Sequence, residues 1–205
     1  MSRRAAALVL GAVLAGCALT GKPPPAIQYY VLSVPGTPQT PLPGPVEVHR
    51  FTADQPFATE RIAYRSSPYR IDYYVYNRWA ADPRSMVASA VRDYLDRQPR
   101  STDAAPFVVS GHVRRLEEVD EGKGRRGTVA VDLKIERDGQ VLLEHDYSET
   151  EPSESETIEG VVAALSRALG RILDQAAGDV AAATPRSGER QLSHRPQSRG
   201  SGSPK

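Results

Sequence analysis

From Ile158 to Ala176 an apolar side chain returns every third or fourth position: Ile158, Val161, Val162, Leu165, Ala168, Leu169, Ile172, Leu173 and Ala176. That period is helical and puts all nine on one face. The stripe is wide enough to cover a sheet, and the remaining surface is too polar for a membrane span. Such a helix needs a flat apolar partner. Just ahead of it, Ser153 and Glu156 have the spacing of a capping box.

Three upstream segments read as strands that supply this partner. "PFVVSGHVRRLEEV" alternates until Arg114, where the parity slips and a bulge is expected. "TVAVDLKIE" places Val129, Val131, Leu133 and Ile135 on one face. Asp138-Gly139 then turns the chain into "QVLLEHDY". A two-residue turn would send Leu142, Glu144 and Asp146 to the core. A three-residue loop, Arg137 to Gly139, instead pairs Val141 with Ile135, Leu143 with Leu133, His145 with Val131 and Tyr147 with Val129. A one-residue slip inverts every side chain, so the three-residue loop is expected.

Earlier in the chain, Asp82-Pro83 opens a second helix as N-cap and first helical residue. Its face is Met86, Val87, Ala90, Val91, Tyr94 and Leu95, and Pro99 ends it. "ERIAYRSSPYRIDYYVYNRWA", residues 60 to 80, reads as a hairpin turning at "SSP". "IQYYVLSV" and "VEVHRF" are two short strands, separated by a proline-rich stretch expected to be an exposed loop. The sum is one α+β domain: an antiparallel or mixed sheet carrying two amphipathic helices.

The two ends lie outside that domain. Ser2-Arg3-Arg4, an apolar run and "LAGC" make a secretory signal of the lipoprotein kind, residues 1–16. Cys17 is the chain's single cysteine, and these flanks mark it for acylation. Each buried methylene contributes about 0.8 kcal/mol, so two or more acyl chains anchor a protein firmly. Residues 17–27 are then a proline-stiffened tether, 28–178 the domain, and 179–205 a disordered basic tail. Ala18 after the cysteine favours the outer membrane over the inner. With Arg3 and Arg4 gone, 24 basic residues stand against 25 acidic ones, which argues against a nucleic-acid binder.

Chemistry is sparse. "GKGRRG", residues 122 to 127, spells a dinucleotide fingerprint, but a strand follows where the motif requires a helix N-terminus. His49, His112 and His145 share no metal spacing, and His145 is expected on the core side. No nucleophile, metal set, cofactor motif or phosphate loop is legible, so an enzyme is not expected.

The stretch 60–80 is the exception to this plainness. It holds five of nine tyrosines and the single tryptophan, threaded with Arg61, Arg65, Arg70 and Arg78. Strand alternation puts Ile71, Tyr73 and Val75 on a core face, with Trp79 packing where the strand enters the helix. The other parity carries Arg70, Asp72, Tyr74, Tyr76 and Arg78. Tyrosine and arginine are enriched at protein interfaces, so these five residues form a candidate partner-binding face. The alternative is a second buried layer beneath a loop or helix.

The order R-I-x-Y-R at Arg61–Arg65, Y-x-x-x-Y-Y-x-Y at Tyr69–Tyr76 and R-W-x-x-x-P at Arg78–Pro83 is carried on a lipobox and a "YYVLSVP" segment. Together they resemble the ABC-type transport auxiliary lipoprotein family, the PqiC-like lipoproteins that accompany MCE-domain lipid transporters. The resemblance implies a lipid-anchored periplasmic subunit working beside an ABC permease and ATPase and an MCE-domain substrate-binding protein. Some members form homo-oligomeric rings. It implies transport of phospholipid or another hydrophobic molecule, by docking rather than catalysis. The other reading is a stand-alone carrier that binds such a molecule itself. The basic tail is a departure from the family pattern.

Overall fold

The computed structural model describes residues 23–42, 44–98, 105–120, 122 and 124–183. The signal segment, Cys17 and the tail beyond Ala183 lie outside these residues, so the lipidation and tail expectations are not addressed by it. The elements are strands β1 (Gln28–Tyr30), β2 (Val46–Ala53), β3 (Arg61–Ser67) and β4 (Arg70–Trp79), then helix α1 (Pro83–Leu95). Strands β5 (Phe107–Val119), β6 (Arg126–Arg137) and β7 (Gln140–Pro152) follow, and helix α2 (Ile158–Ala183) comes last. They form a seven-stranded mixed sheet in the order β1-β4-β3-β5-β6-β7, with β2 also bonded to β5. The α+β expectation holds.

Strand β5 organises the sheet. Its whole length pairs antiparallel with β6. Its other edge is shared by two parallel neighbours, β2 along Phe107–Val113 and β3 along Glu117–Val119. The register shifts between Val113 and Arg115, where the alternation fails in the sequence. Both helices lie on one face and meet there, with the Tyr94 hydroxyl donating to Asp174 Oδ1 at 3.0 Å.

Helix α2 packs on β5, β6 and β7. Its nine predicted stripe residues are all buried, as are Val129, Val131, Leu133, Ile135 and Tyr147 beneath them. Each such side chain contributes about 1.5–3 kcal/mol when fully buried, so this half of the sheet dominates the core. Gly127 sets the closeness of approach: a Cβ there would stand 2.7 Å from the backbone nitrogen of Leu165.

Several local expectations need correction. The β6–β7 turn has two residues, because Arg137 pairs with Gln140 and both Asp138 and Gly139 have positive φ, 51° and 73°. A bulge one residue later restores the parity, so Leu143 pairs with Ile135, His145 with Leu133 and Tyr147 with Val131. Val141 and His145 end up exposed, because this is an edge strand. The capping box is absent: α2 starts at Ile158, and Thr157 Oγ1 accepts the Gly160 N–H at 3.1 Å. The helix also runs five residues past Gly178, with Val180 buried and Asp179 accepting the Tyr147 hydroxyl at 2.6 Å.

Helix α1 begins as its sequence requires, with Asp82 accepting the Arg84 N–H at 2.9 Å and Pro83 following. The proline-rich segment is not wholly exposed. Leu42 is buried, and its N–H donates to Gln98 Oε1 at 2.9 Å. Among the described residues no helix is long and apolar enough to cross a membrane.

Candidate functional site

The tyrosine–arginine stretch forms the β3–β4 hairpin, turning at Pro68-Tyr69. Its two faces follow from the register. Glu118 of β5 pairs with Gly127, which lies under Leu165 of α2, so Glu118 points to the helix side. Tyr64 pairs with Glu118 and therefore faces the same way. Glu117, one residue earlier, faces the opposite side.

On the helix side a closed network forms. The Tyr74 ring packs on Tyr64 with centroids 4.7 Å apart. Its hydroxyl donates to Glu118 Oε2 at 2.8 Å and accepts from Arg125 Nη2 at 2.6 Å. Arg125 Nε donates to Glu118 Oε1 at 2.7 Å, and Nη1 donates to the Glu156 carbonyl. Glu118 is buried, so these bonds replace the water it has lost. Burial, then the hydrogen bond and charge of Glu118, raise the Tyr74 phenol well above its ordinary pKa, with Arg125 opposing. Burial alone would lower Arg125, but its bond to Glu118 and that carboxylate's charge leave it raised.

On the other face, Glu117 is wholly buried between two guanidinium groups. Arg65 Nε reaches Oε1 at 3.2 Å, and Arg115 Nε reaches the same oxygen at 2.8 Å. Arg65 also donates to the Pro68 carbonyl at 3.1 Å, tying the hairpin turn to β5. Adjacent carboxylates on β5 thus clamp the hairpin from both sides of the sheet.

Beyond the clamps the hairpin changes character. While β3 advances from Arg61 to Ala63, β4 advances from Tyr73 to Arg78. This bulge breaks the two-residue alternation: Ile71 and Tyr73 pack against the core as expected, and Val75 does not. Tyr73 is half-buried away from the helices, under Arg61 at 5.1 Å, and Val75 is 57% exposed. Trp79 is buried at the strand end, as expected.

The five candidate residues are not gathered on one surface. Arg70 and Asp72 pair with each other at 2.6 Å beside the turn. Tyr74 belongs to the buried network. Tyr76 is 39% exposed on the bulge. Arg78 lies half-buried, and its Nε is buried without a partner.

Opposite Arg78 lies a surface that was not foreseen. β1 pairs parallel with β4, with Tyr29 beside Arg78. Tyr30, Leu32 and Val34 turn inward, while Ile27, Tyr29 and Val31 are 40, 61 and 58% exposed. Val75 and Tyr76 of the neighbouring strand are exposed too, so large apolar side chains gather about β1, whose outer edge pairs with no strand among the described residues. The signal was present: "IQYYVLSV" is apolar at both parities, which a strand facing water on one side has no need to be.

The histidines are peripheral. His49 lies exposed, 3.8 Å from Glu47. His112 bridges Thr52 Oγ1 at 2.7 Å and Asp54 Oδ1 at 2.9 Å, but Thr52 and His112 are cross-strand partners on an open sheet face. His145 packs edge-on against Tyr147. No group of three or more His, Cys, Asp or Glu fit to hold a metal occurs among the described residues.

A mixed sheet carries both helices on one face, and its β3–β4 hairpin is clamped to β5 from both sides. Residues 30–177 match the model of the ABC-type transport auxiliary lipoprotein component, and the chain belongs to that family. Its fold recurs in protein XCC0632 from Xanthomonas campestris, a DUF330 protein. That match has a TM-score of 0.58 and 22% identity over 72% of this chain and 91% of the other. An uncharacterized protein of known structure matches with a TM-score of 0.60 and 13% identity, over 76% of this chain and 99% of that one. No curated protein matches.

Proposed function

We propose that this envelope-associated auxiliary component is anchored through acylated Cys17 and docks an MCE-domain protein of its ABC transport system through the β1–β4 edge. In this reading the cargo is phospholipid or another hydrophobic molecule. The chain contributes a contact surface and catalyses nothing. The observation that carries it is the patch of Tyr29, Val31, Val75 and Tyr76 beside Arg78. Large apolar side chains on a free strand edge are a liability unless something covers them. An aromatic and arginine composition is that of an interface centre.

The earlier candidate face is revised accordingly. Tyr76 and Arg78 stay in the contact surface and Tyr29 and Val31 join it, while Tyr74 supports the hairpin from behind. The carrier reading gains no support beneath α2, where the facing side chains of helix and sheet belong to one buried cluster.

The test is capture of the full-length lipoprotein from its own membranes in mild detergent, with mass-spectrometric identification of what accompanies it. Recovery of an MCE-domain protein or permease supports the proposal. Recovery of neither, with co-purifying lipid instead, contradicts it in favour of the carrier. A captured complex holding further copies of this chain alone would reassign the edge to a homo-oligomer.

A further inference from the structure

A second surface is built on β2. One side of this strand is bonded to β5, and among the described residues no strand pairs with the other. That free side borders a groove of about 530 Å³ lined by five successive β2 residues, Val48 to Thr52. The facing wall is α1, which presents the small residues Ser85, Ala88 and Ser89, with Arg84 and Arg92 at either end. Successive strand residues on one wall mean that backbone edge, and not one side-chain face, lines the groove. α1 packs closely on β2, and the groove opens where these small side chains face the strand.

The edge is not idle. Arg92 Nη2 donates to the Val48 carbonyl at 3.1 Å, the position where a neighbouring strand's N–H would bond. The groove is also cationic. Arg50, Arg84 and Arg92 line it, with the His49 ring, against one carboxylate, Asp82, which Arg84 already engages at 2.5 Å. Glu47, 3.8 Å from His49, lies outside the lining. The chain's own tail is excluded as occupant by charge, since from Pro185 it carries five basic residues against one acid.

We propose that this groove takes an extended acidic segment of a partner protein, which adds as a strand to the free edge of β2. The segment's backbone replaces Arg92 at the Val48 carbonyl, and the released guanidinium joins Arg50 in holding its carboxylates. Backbone pairing supplies affinity, and the arginines select the charge of the segment. The inference does not rest on the β1–β4 docking surface, none of whose residues lines this groove.

Isotope-labelled full-length protein in detergent micelles tests it, titrated with a peptide of about ten residues alternating threonine and glutamate. The expected result is saturable binding with amide shifts confined to Val48–Thr52 and Ser85–Arg92. Methylating alternate peptide nitrogens on the pairing edge weakens it at least about tenfold, as does Arg50→Glu in a variant of unchanged circular dichroism. A lysine-for-glutamate peptide does not bind. Equal binding of the N-methylated peptide would overturn strand addition. So would displacement by inorganic phosphate or phosphatidylglycerol vesicles at comparable charge concentration, which would make the groove an anion or headgroup site. Absence of saturable binding, or shifts on β1 and β4 instead, would overturn it equally.

Discussion

The sheet ends at β7 on one side and β1 on the other, and the residues exposed along these two edges are mostly charged or polar on β7 and mostly apolar on β1. β7 is thirteen residues long and, apart from Val141 next to the turn, shows water polar and charged residues such as Glu144, His145, Asp146 and Ser148, with α2 packed alongside. β1 has three residues, and the segment around it shows Ile27, Tyr29 and Val31. Charge along an edge deters another chain from pairing with it. The β7 edge has that protection and the β1 edge lacks it. Within one domain, the unprotected edge is where an intended partner belongs.

The clamps of β5 explain how such an edge keeps its shape before a partner arrives. Glu117 and Glu118 hold the hairpin from opposite faces, so the bulge and the exposed strand extend from a fixed base. If this is right, the two regions separate under mutation. The largest loss is expected from Glu118→Ala, which strands the mostly buried Arg125 without its carboxylate. It should cost about 3–5 kcal/mol in urea unfolding. A cost near zero would mean the network does not fix the hairpin. Tyr74→Phe removes one hydroxyl from the same network and should cost about 1.5–3 kcal/mol by the same assay. It should leave partner capture intact.

Alkaline titration sharpens the comparison further. Burial, with hydrogen bonds to Glu118 and Asp179, raises Tyr74 and Tyr147. Burial and the bond to Asp174 push Tyr94 up to about 12. An unfolded phenol ionises near pH 10. The folded state therefore holds these protons more tightly, and its advantage is complete below about pH 10. It is lost as pH rises through the folded values. Absorbance at 295 nm should show tyrosine ionisation still incomplete at about pH 11 and completed when urea unfolds the chain. Full ionisation of the folded protein at that pH would contradict the burial described. The smallest effect on stability is expected at the edge itself. Tyr29→Ser with Val31→Ser should shift unfolding by no more than about 0.5 kcal/mol. A larger loss would mean the patch serves the fold and not a partner.

Much of the architecture was legible because its signals are local and redundant. The α2 stripe, the Asp82-Pro83 helix start and the parity slip at Arg114 each came from side-chain periodicity, and each is where the pattern put it. The Asp138-Gly139 turn was misjudged because two errors in register cancel: a two-residue turn and a bulge reach the same faces as a longer loop. The site was less legible. Composition marked residues 60–80 correctly as unusual, yet alternation cannot see a bulge in which five steps of β4 oppose two of β3. Nor does local pattern reveal that β1 lies parallel beside β4, so that Tyr29 meets Arg78 across 49 residues of chain. The buried clamps came from Glu117 and Glu118, whose place in an acidic run at a strand end carries no local sign of burial.

The central claim is that the β1–β4 edge touches the transport partner and the β7 edge does not. A photo-crosslinking residue placed at Tyr29, and separately at His145, in the full-length protein within its native membranes tests this directly. The account predicts an adduct to a transporter component from position 29 and none from position 145. Adducts from position 145 with none from position 29 would contradict it.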